Sequence, residues 1–243
     1  MYVKYVKRLL DILLSGIALL IGAPIIVIVA LLVRFKLGSP VIFRQERPGK
    51  GKKIFTMCKF RTMTDDKDSE GNLLPDDVRL TKFGSFLRST SLDELPELWN
   101  IFKGDMSIVG PRPQLVRDMV FFNEEQMKRQ DVLPGLTGLA QVSGRNTISW
   151  EDKLNYDLKY MEKITFLGDC KIILSTVLKV FKREDISADG MSTAEDFGDY
   201  LLRVGQVSEA EYQQNMMLSK EIIEIYRNGD SVVITPREGL KCK

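Results

Sequence analysis

Residues 12–33 form a run of 22 residues without a charge, close to the roughly 20 that a helix needs to span a bilayer. The run is too long for a secretory signal peptide and no small-residue cleavage site ends it. Pro24 divides it almost in half. An interior proline removes a backbone hydrogen bond, clashes with the carbonyl four residues back and costs about 3 kcal/mol. The halves, residues 12–23 and 24–33, would be about 18 and 15 Å long, each enough for about one leaflet. Both flanks are cationic, with Lys4, Lys7 and Arg8 before the run and Arg34, Lys36, Arg44 and Arg47 after it. The positive-inside rule then puts both ends in the cytoplasm. Residues 1–36 are therefore expected to form a re-entrant helix–break–helix anchor with Pro24 at the break. A kinked spanning helix is the competing arrangement, since proline is common in membrane helices.

The charge distribution agrees with a membrane surface. Residues 1–61 hold twelve Lys and Arg against Asp11 and Glu46, a net of +10, which leaves −8 on residues 62–243. The basic stretch surrounds an apolar segment and lacks interleaved stacking aromatics, so anionic lipid headgroups are the expected partner and nucleic acid is not. The chain has no histidine, which excludes Ser-His-Asp and Cys-His catalysis and His-ligated zinc. Acid–base or nucleophilic work falls to carboxylates, lysine, tyrosine or cysteine. Cys58, Cys170 and Cys242 are dispersed and form no CxxC pair, as expected of reduced thiols facing a cytoplasm. Cys58 and Cys170 read as small core hydrophobes.

After the anchor, turn residues around 39–40 and 47–51 bound two β-rich pieces, residues 41–45 and 53–63, that predict a hairpin. Alternation along the second piece puts Lys59 and Arg61 on one face, suited to phosphates, although a solvated basic face has the same pattern. Residues 64–77 read as a polar loop and 78–88 as a short amphipathic helix. Further helices are predicted over 123–130, from Ser149 to about residue 163, and over 166–181, with a tight turn at 134–138 between the first two. The helix over 166–181 reads as a core or membrane-apposed element. Capping-box spacings at Ser192 with Glu195 and Ser208 with Glu211, and the glycines Gly205 and Gly229, predict an acidic helical hairpin beyond residue 190. The fold class expected is α+β, mainly helical, divided as anchor 1–36, catalytic domain 37–189 and extension 190–243. The extension reads as a packing or oligomerisation element.

Two adjacent carboxylates, Asp93 and Glu94, sit at a predicted helix start, with Arg88 before them and the turn Gly110-Pro-Arg-Pro113 after them. Ser91 and Glu94 have capping-box spacing, while Pro96 allows a second register with Leu95 as cap. A helix start with nearby arginines favours anions, and two carboxylates there suggest a divalent cation shared with phosphate. Acidic residues are also ordinary in a first helical turn, so the spacing by itself leaves both readings open.

In order, the chain presents a proline-broken apolar anchor, Lys59-Phe-Arg-Thr-Met63, Ser91-Leu-Asp-Glu94, Gly104-Asp-Met-Ser-Ile-Val-Gly-Pro-Arg-Pro113 and Pro134-Gly-Leu-Thr-Gly-Leu-Ala-Gln-Val-Ser-Gly-Arg-Asn146. Over about residues 1–187 this closely resembles the bacterial sugar transferases, the monotopic phosphoglycosyl transferases. Within them it resembles most the small members that move phospho-diacetylbacillosamine to undecaprenyl phosphate. The resemblance implies transfer of a sugar 1-phosphate from a UDP-sugar to undecaprenyl phosphate with Mg2+, at the cytoplasmic face of the inner membrane, with release of UMP. It implies Asp93 as the nucleophile and Glu94 as a metal ligand. Lys59, Arg88, Arg112, Arg145, Asp157 and Asp169 fall at polar positions of the family's active site. The donor is expected to be UDP-diacetylbacillosamine or another UDP-N-acetylamino sugar. The same reaction on a hexose, and a membrane scaffold for glycosyltransferases, are the alternatives. Membrane lipids, a homo-oligomer and downstream glycosyltransferases complete the expected partners. One departure is Ala23 before Pro24, where the family often has serine, so the break rests on proline alone.

Overall fold

The computed structural model describes residues 2–144, 148–182 and 195–229. After a π-helical turn at Tyr2–Val6, helix α1 runs over Lys7–Leu37. The two half-helices expected there are one continuous helix with Pro24 in its interior. Proline deletes a single N–H and its φ is already helical, so the remaining ladder carries the helix past it. At 1.5 Å per residue α1 is about 46 Å long. Both of its ends dock on the rest of the molecule. Near the start, Arg8 donates to the carbonyls of Ile101 and Phe102 at 2.6 and 2.8 Å, and Asp11 accepts from the Ile108 N–H at 2.9 Å. Near the end, Val29, Val33 and Leu37 pack with Phe60 and Leu87. The middle is bare, with Leu20 and Ile21 79% and 73% exposed.

Strands β1, Ile42–Pro48, and β2, Ile54–Phe60, pair antiparallel with Ile42 opposite Phe60 and Pro48 opposite Ile54. This is the expected hairpin, closed by a 3-10 turn at Lys50–Lys52. Helices α2, Asp76–Arg79, and α3, Lys82–Ser89, follow, and Thr81 caps α3 by accepting from the Gly84 N–H. After α4, Glu97–Lys103, comes strand β3, Ser107–Val109. Helices α5, Val116–Met119, and α6, Glu124–Met127, lead to a 3-10 turn at Lys128–Asp131. The tight turn expected at 134–138 is instead strand β4, Gly135–Thr137, parallel to β3. It is short because it serves as a contact between two loops. A Cβ on Gly135 would lie 2.1 Å from the Gly110 nitrogen, and one on Gly138 2.1 Å from the Gly110 oxygen. Only bare backbone lets the chain segments around 110 and 135 approach this closely.

Helix α7, Leu139–Ser143, precedes α8, Trp150–Glu162, capped by Ser149 as expected, and α9, Phe166–Lys182. One face of α9 is apolar and exposed, with Leu167, Leu174, Val177 and Leu178 between 44% and 71% exposed. Cys170 lies on that face, and its placement corrects the core role expected for it, while Cys58 is half-buried. Beyond residue 190, α10, Phe197–Arg203, and α11, Glu209–Arg227, form the predicted hairpin. Ser208 caps α11, and Gly205 and Gly229 follow the two helices at positive φ. The spacing at Ser192 lies outside the described residues. These helices share a core with α5 and α8, in which Phe197, Leu201 and Ile222 pack with Phe121, Phe122 and Trp150.

Candidate active site

The segment between α3 and α4 has an unusual backbone. Ser91 is left-handed at φ +55, and Leu92–Glu94 is a 3-10 turn. The capping box expected at Ser91 is absent, because a cap needs an extended backbone and Ser91 does not have one. Pro96, just before α4, takes the cap position instead, one residue beyond the second register allowed by the sequence. The short turn sets Asp93 and Glu94 side by side just before α4, with distinct environments.

Glu94 is the hub. Its Oε1 lies 2.8 Å from Lys59 Nζ and 3.4 Å from Arg112 Nη2. Lys59 is shared, with its Nζ 3.0 Å from Glu97 Oε1. Burial opposes a charge on Glu94, yet Lys59 and Arg112 outweigh it and hold the carboxyl down to about 2. Asp93, 8% exposed, goes the other way. Burial, and then the negative charge of Glu94, push it up to about 6 against Lys59, Arg88 and Arg112. The site therefore contains one carboxylate neutralised by cations and one that is desolvated, a division of roles that adjacent acids with divergent environments provide.

Each cation comes from a different element. Lys59 projects from β2. Arg88 lies in the last turn of α3, where its Nε donates to Thr62 Oγ1 at 3.1 Å. Arg112 comes from the turn after β3 and is 43% exposed, open to an incoming anion. Arg61 belongs elsewhere: its Nε donates to the Met63 carbonyl and its Nη1 to the Ser39 carbonyl, at 2.8 and 2.9 Å. The strand ends at Phe60, so the alternation that would have put Arg61 beside Lys59 stops one residue short.

Asp157, 1% exposed on α8, pairs with Arg129 at 2.5 Å. The same Arg129 Nη2 donates to the backbone carbonyl of Arg112 at 2.6 Å, so Asp157 reaches the site through Arg112. Asp169 forms a separate cluster, accepting from Lys7 Nζ at 2.5 Å, Tyr2 Oη at 2.6 Å and Tyr160 Oη at 2.8 Å. It ties the start of α1 to α8 and α9. Arg145 lies outside the described residues. Glu97 and Arg129 were missed in the sequence reading. Glu97, three residues after Glu94, stands at a helical spacing that could have flagged it. Arg129 and Asp157 are 28 residues apart and no local pattern links them.

Among the described residues, no group of three or more His, Cys, Asp or Glu side chains is placed to hold a metal ion. Asp93 and Glu94 nonetheless suit Mg2+, which takes hard oxygen donors and commonly needs only one or two carboxylates when phosphate oxygens and water complete its shell. An acid pair beside three cations has the charge arrangement that suits phosphate groups.

The comparison with known proteins agrees. Residues 2–183 match the family model for bacterial sugar transferases. The chain is 50% identical over 191 residues to the uncharacterised sugar transferase EpsL of Bacillus subtilis, covering 79% of this chain and 95% of that one. It is 42% identical over 185 residues to the UDP-glucose:undecaprenyl-phosphate glucose-1-phosphate transferase of Klebsiella pneumoniae, covering 72% of this chain and 40% of the relative. It is 40% identical over 185 residues to the galactosyl transferase CpsE of Streptococcus agalactiae, covering 70% of this chain and 41% of the relative. The chain thus spans less than half the length of these two longer relatives. With residues 2–183 matching the family model and the motifs in order, the chain belongs to the bacterial sugar transferase family.

Proposed function

We propose that this protein transfers a sugar 1-phosphate from a UDP-sugar to undecaprenyl phosphate through a covalent intermediate on Asp93. The observation that carries the reading is the contrast between Asp93 and its neighbour, with Glu94 paired through Oε1 to Lys59 and Arg112. A desolvated carboxylate is a better nucleophile than a hydrated one, and it splits one displacement into two. In the first step an Asp93 oxygen attacks the sugar-bearing phosphorus, the bond to the UMP oxygen breaks and UMP leaves. In the second, a phosphate oxygen of undecaprenyl phosphate attacks the same phosphorus. The acyl phosphate bond breaks, Asp93 regains its charge and the product is a polyprenyl diphosphate sugar. No imidazole is needed, because the acceptor arrives as an anion. Arg112 and Arg88 hold the diphosphate and offset charge on the transferring group, while Lys59 keeps Glu94 in place. Mg2+, held by Glu94 with Asp93, would neutralise diphosphate charge.

The contacts of α1 bear on the membrane mode. A spanning helix would leave its two ends on opposite sides of the bilayer, whereas Asp11 and Val33 are both buried in contacts with the same folded unit. This supports an anchor that stays on one side, with the exposed apolar face of α9 beside it, and the cationic flanks of the apolar run favour the cytoplasmic leaflet. Lys7 and Tyr2, joined to Asp169, place the start of α9 level with the start of α1. A soluble UDP-sugar and a membrane-bound acceptor can meet at that height.

For the donor, the relatives named for glucose 1-phosphate and galactosyl transfer favour a hexose over the N-acetylamino sugar first expected. The test is UMP release by detergent-solubilised protein with Mg2+ over UDP-glucose, UDP-galactose and UDP-N-acetylamino sugars, with and without undecaprenyl phosphate. Sustained release that needs the lipid, for one or two donors, is expected. Lipid-independent turnover would mean a hydrolase, and release from no donor would favour a scaffold.

A further inference from the structure

The family match ends at residue 183, yet α10 and α11 lie in the main core. Their contacts converge on the chain that carries Arg112. The backbone N–H of Phe197, the first residue of α10, donates to Asp118 Oδ1 at 2.9 Å, a bond that is fully buried. The other oxygen of Asp118 accepts from the Leu115 N–H at 3.0 Å. Leu115 is three residues after Arg112. One buried carboxylate, 1% exposed, thus clasps the C-terminal element and the Arg112 loop together.

A second path runs through the rings. Phe197 lies 5.6 Å from Phe122, and the Arg129 guanidinium lies over the Phe122 ring at 5.4 Å. Arg129 in turn donates to the Arg112 carbonyl. A third contact, from Arg47 Nη1 to the Pro113 carbonyl at 3.2 Å, secures the loop from β1. The fit of α10 is close, since a Cβ on Gly198 would lie 2.5 Å from the Phe121 ring. On the outside, Arg117 of α5 pairs with Asp196 just before α10. The loop has little regular structure of its own, so its geometry is set by these partners.

We propose that the C-terminal helices α10 and α11 are a brace that holds the Arg112 loop in its phosphate-binding position. Residues 195–229 are then a working part of the site, acting through Asp118 and Phe122. The proposal rests on the reading of Arg112 as a diphosphate ligand. Asp118 and Phe197 are positioning residues, since neither approaches the carboxylate pair. Arg112 is open on its outer side, so a loosened loop lets its guanidinium swing away from the anion, and a displacement near 1 Å can cost about a hundredfold in rate.

The test measures the dissociation constant of UDP, as probe, for the full chain in detergent. It compares the wild type with Arg112→Ala, Asp118→Asn, Phe197→Leu and the doubles with Arg112→Ala. Asparagine keeps the shape of Asp118 but can accept only one of the two N–H bonds. Leucine keeps most of the core volume at Phe197. Thermal unfolding of each variant fixes a temperature at which all are folded. Arg112→Ala is expected to weaken UDP about tenfold or more. Asp118→Asn and Phe197→Leu are expected to weaken it in the same direction, with little further loss when either is combined with Arg112→Ala. A change in core stability alone would not produce that non-additivity. If Arg112→Ala weakens UDP and the other two bind like wild type, or add independently to Arg112→Ala, the brace is refuted and the reading of Arg112 stands. If Arg112→Ala leaves UDP binding unchanged, the reading of Arg112 fails and the brace with it.

Discussion

Asp93 and Glu94 are chemically close to identical and adjacent in sequence, so their different behaviour comes from position. Burial opposes the charge on both, but Glu94 is held by Lys59 and Arg112, which outweigh it, whereas at Asp93 burial and the negative charge of its neighbour prevail. A carboxyl raised by burial holds its proton to higher pH than it would in water, and loses it as pH rises through the folded value. In metal-free protein the carboxylate infrared band of Asp93, identified by its loss in Asp93→Asn, is expected to grow in as pH rises through about 6. A midpoint near the ordinary aspartate range, about 4, would contradict the desolvated nucleophile. At this scale the sequence was informative about residue types and silent about partners. The Asp93-Glu94 pair, Lys59, Arg88 and Arg112 were legible from their motifs, and the structure brings them together. Arg129 was not, because its value lies in bridging Arg112 and Asp157 across the fold. Arg61 matched Lys59 in pattern and diverged only because β2 ends between them.

Elements were legible where periodicity governs them and hidden where contact between distant segments does. The hairpin, α8 and α9 follow from their patterns, and α11 starts at the serine whose capping spacing marks it. The β3–β4 pair does not follow, since three residues on each side carry no alternation and the pairing depends on Gly110, Gly135 and Gly138 meeting backbone to backbone. This predicts an asymmetry between glycines. Gly135→Ala forces a Cβ to within 2.1 Å of a backbone nitrogen that cannot move aside, and overpacking of this kind costs about 3 kcal/mol or more. Gly205→Ala meets nothing within 4 Å and suffers only its positive φ, at about 1 kcal/mol. Denaturant midpoints of the two variants measure the difference, and equal midpoints would contradict the close loop contact. Pro24 carries the converse lesson. Its cost led to the expectation of a break, but one lost hydrogen bond in an apolar helix of 31 residues is too little to divide it.

For the whole molecule, the arrangement of α1 and α9 decides how the site meets its lipid substrate. Cysteines placed at residues 2 and 40, in a background without the native cysteines, are expected to react from the same side of sealed vesicles. Labelling from opposite sides would show that α1 crosses. With Cys170 retained alone, a lipophilic maleimide is expected to modify it in vesicles, and a charged, impermeant one is expected to be excluded by the lipid covering α9. Equal labelling would place that face in water. These choices set the height of Asp93 at the membrane, and in the proposed reaction the transfer runs through that carboxylate. The most direct measurement is peptide-mapping mass spectrometry of the full protein incubated with Mg2+ and its UDP-sugar donor, before and after addition of undecaprenyl phosphate. A sugar phosphate on the peptide containing Asp93, absent in Asp93→Asn and discharged by the lipid, is the predicted result. Lipid-dependent turnover with no adduct on Asp93, and retained by Asp93→Asn, would contradict the account.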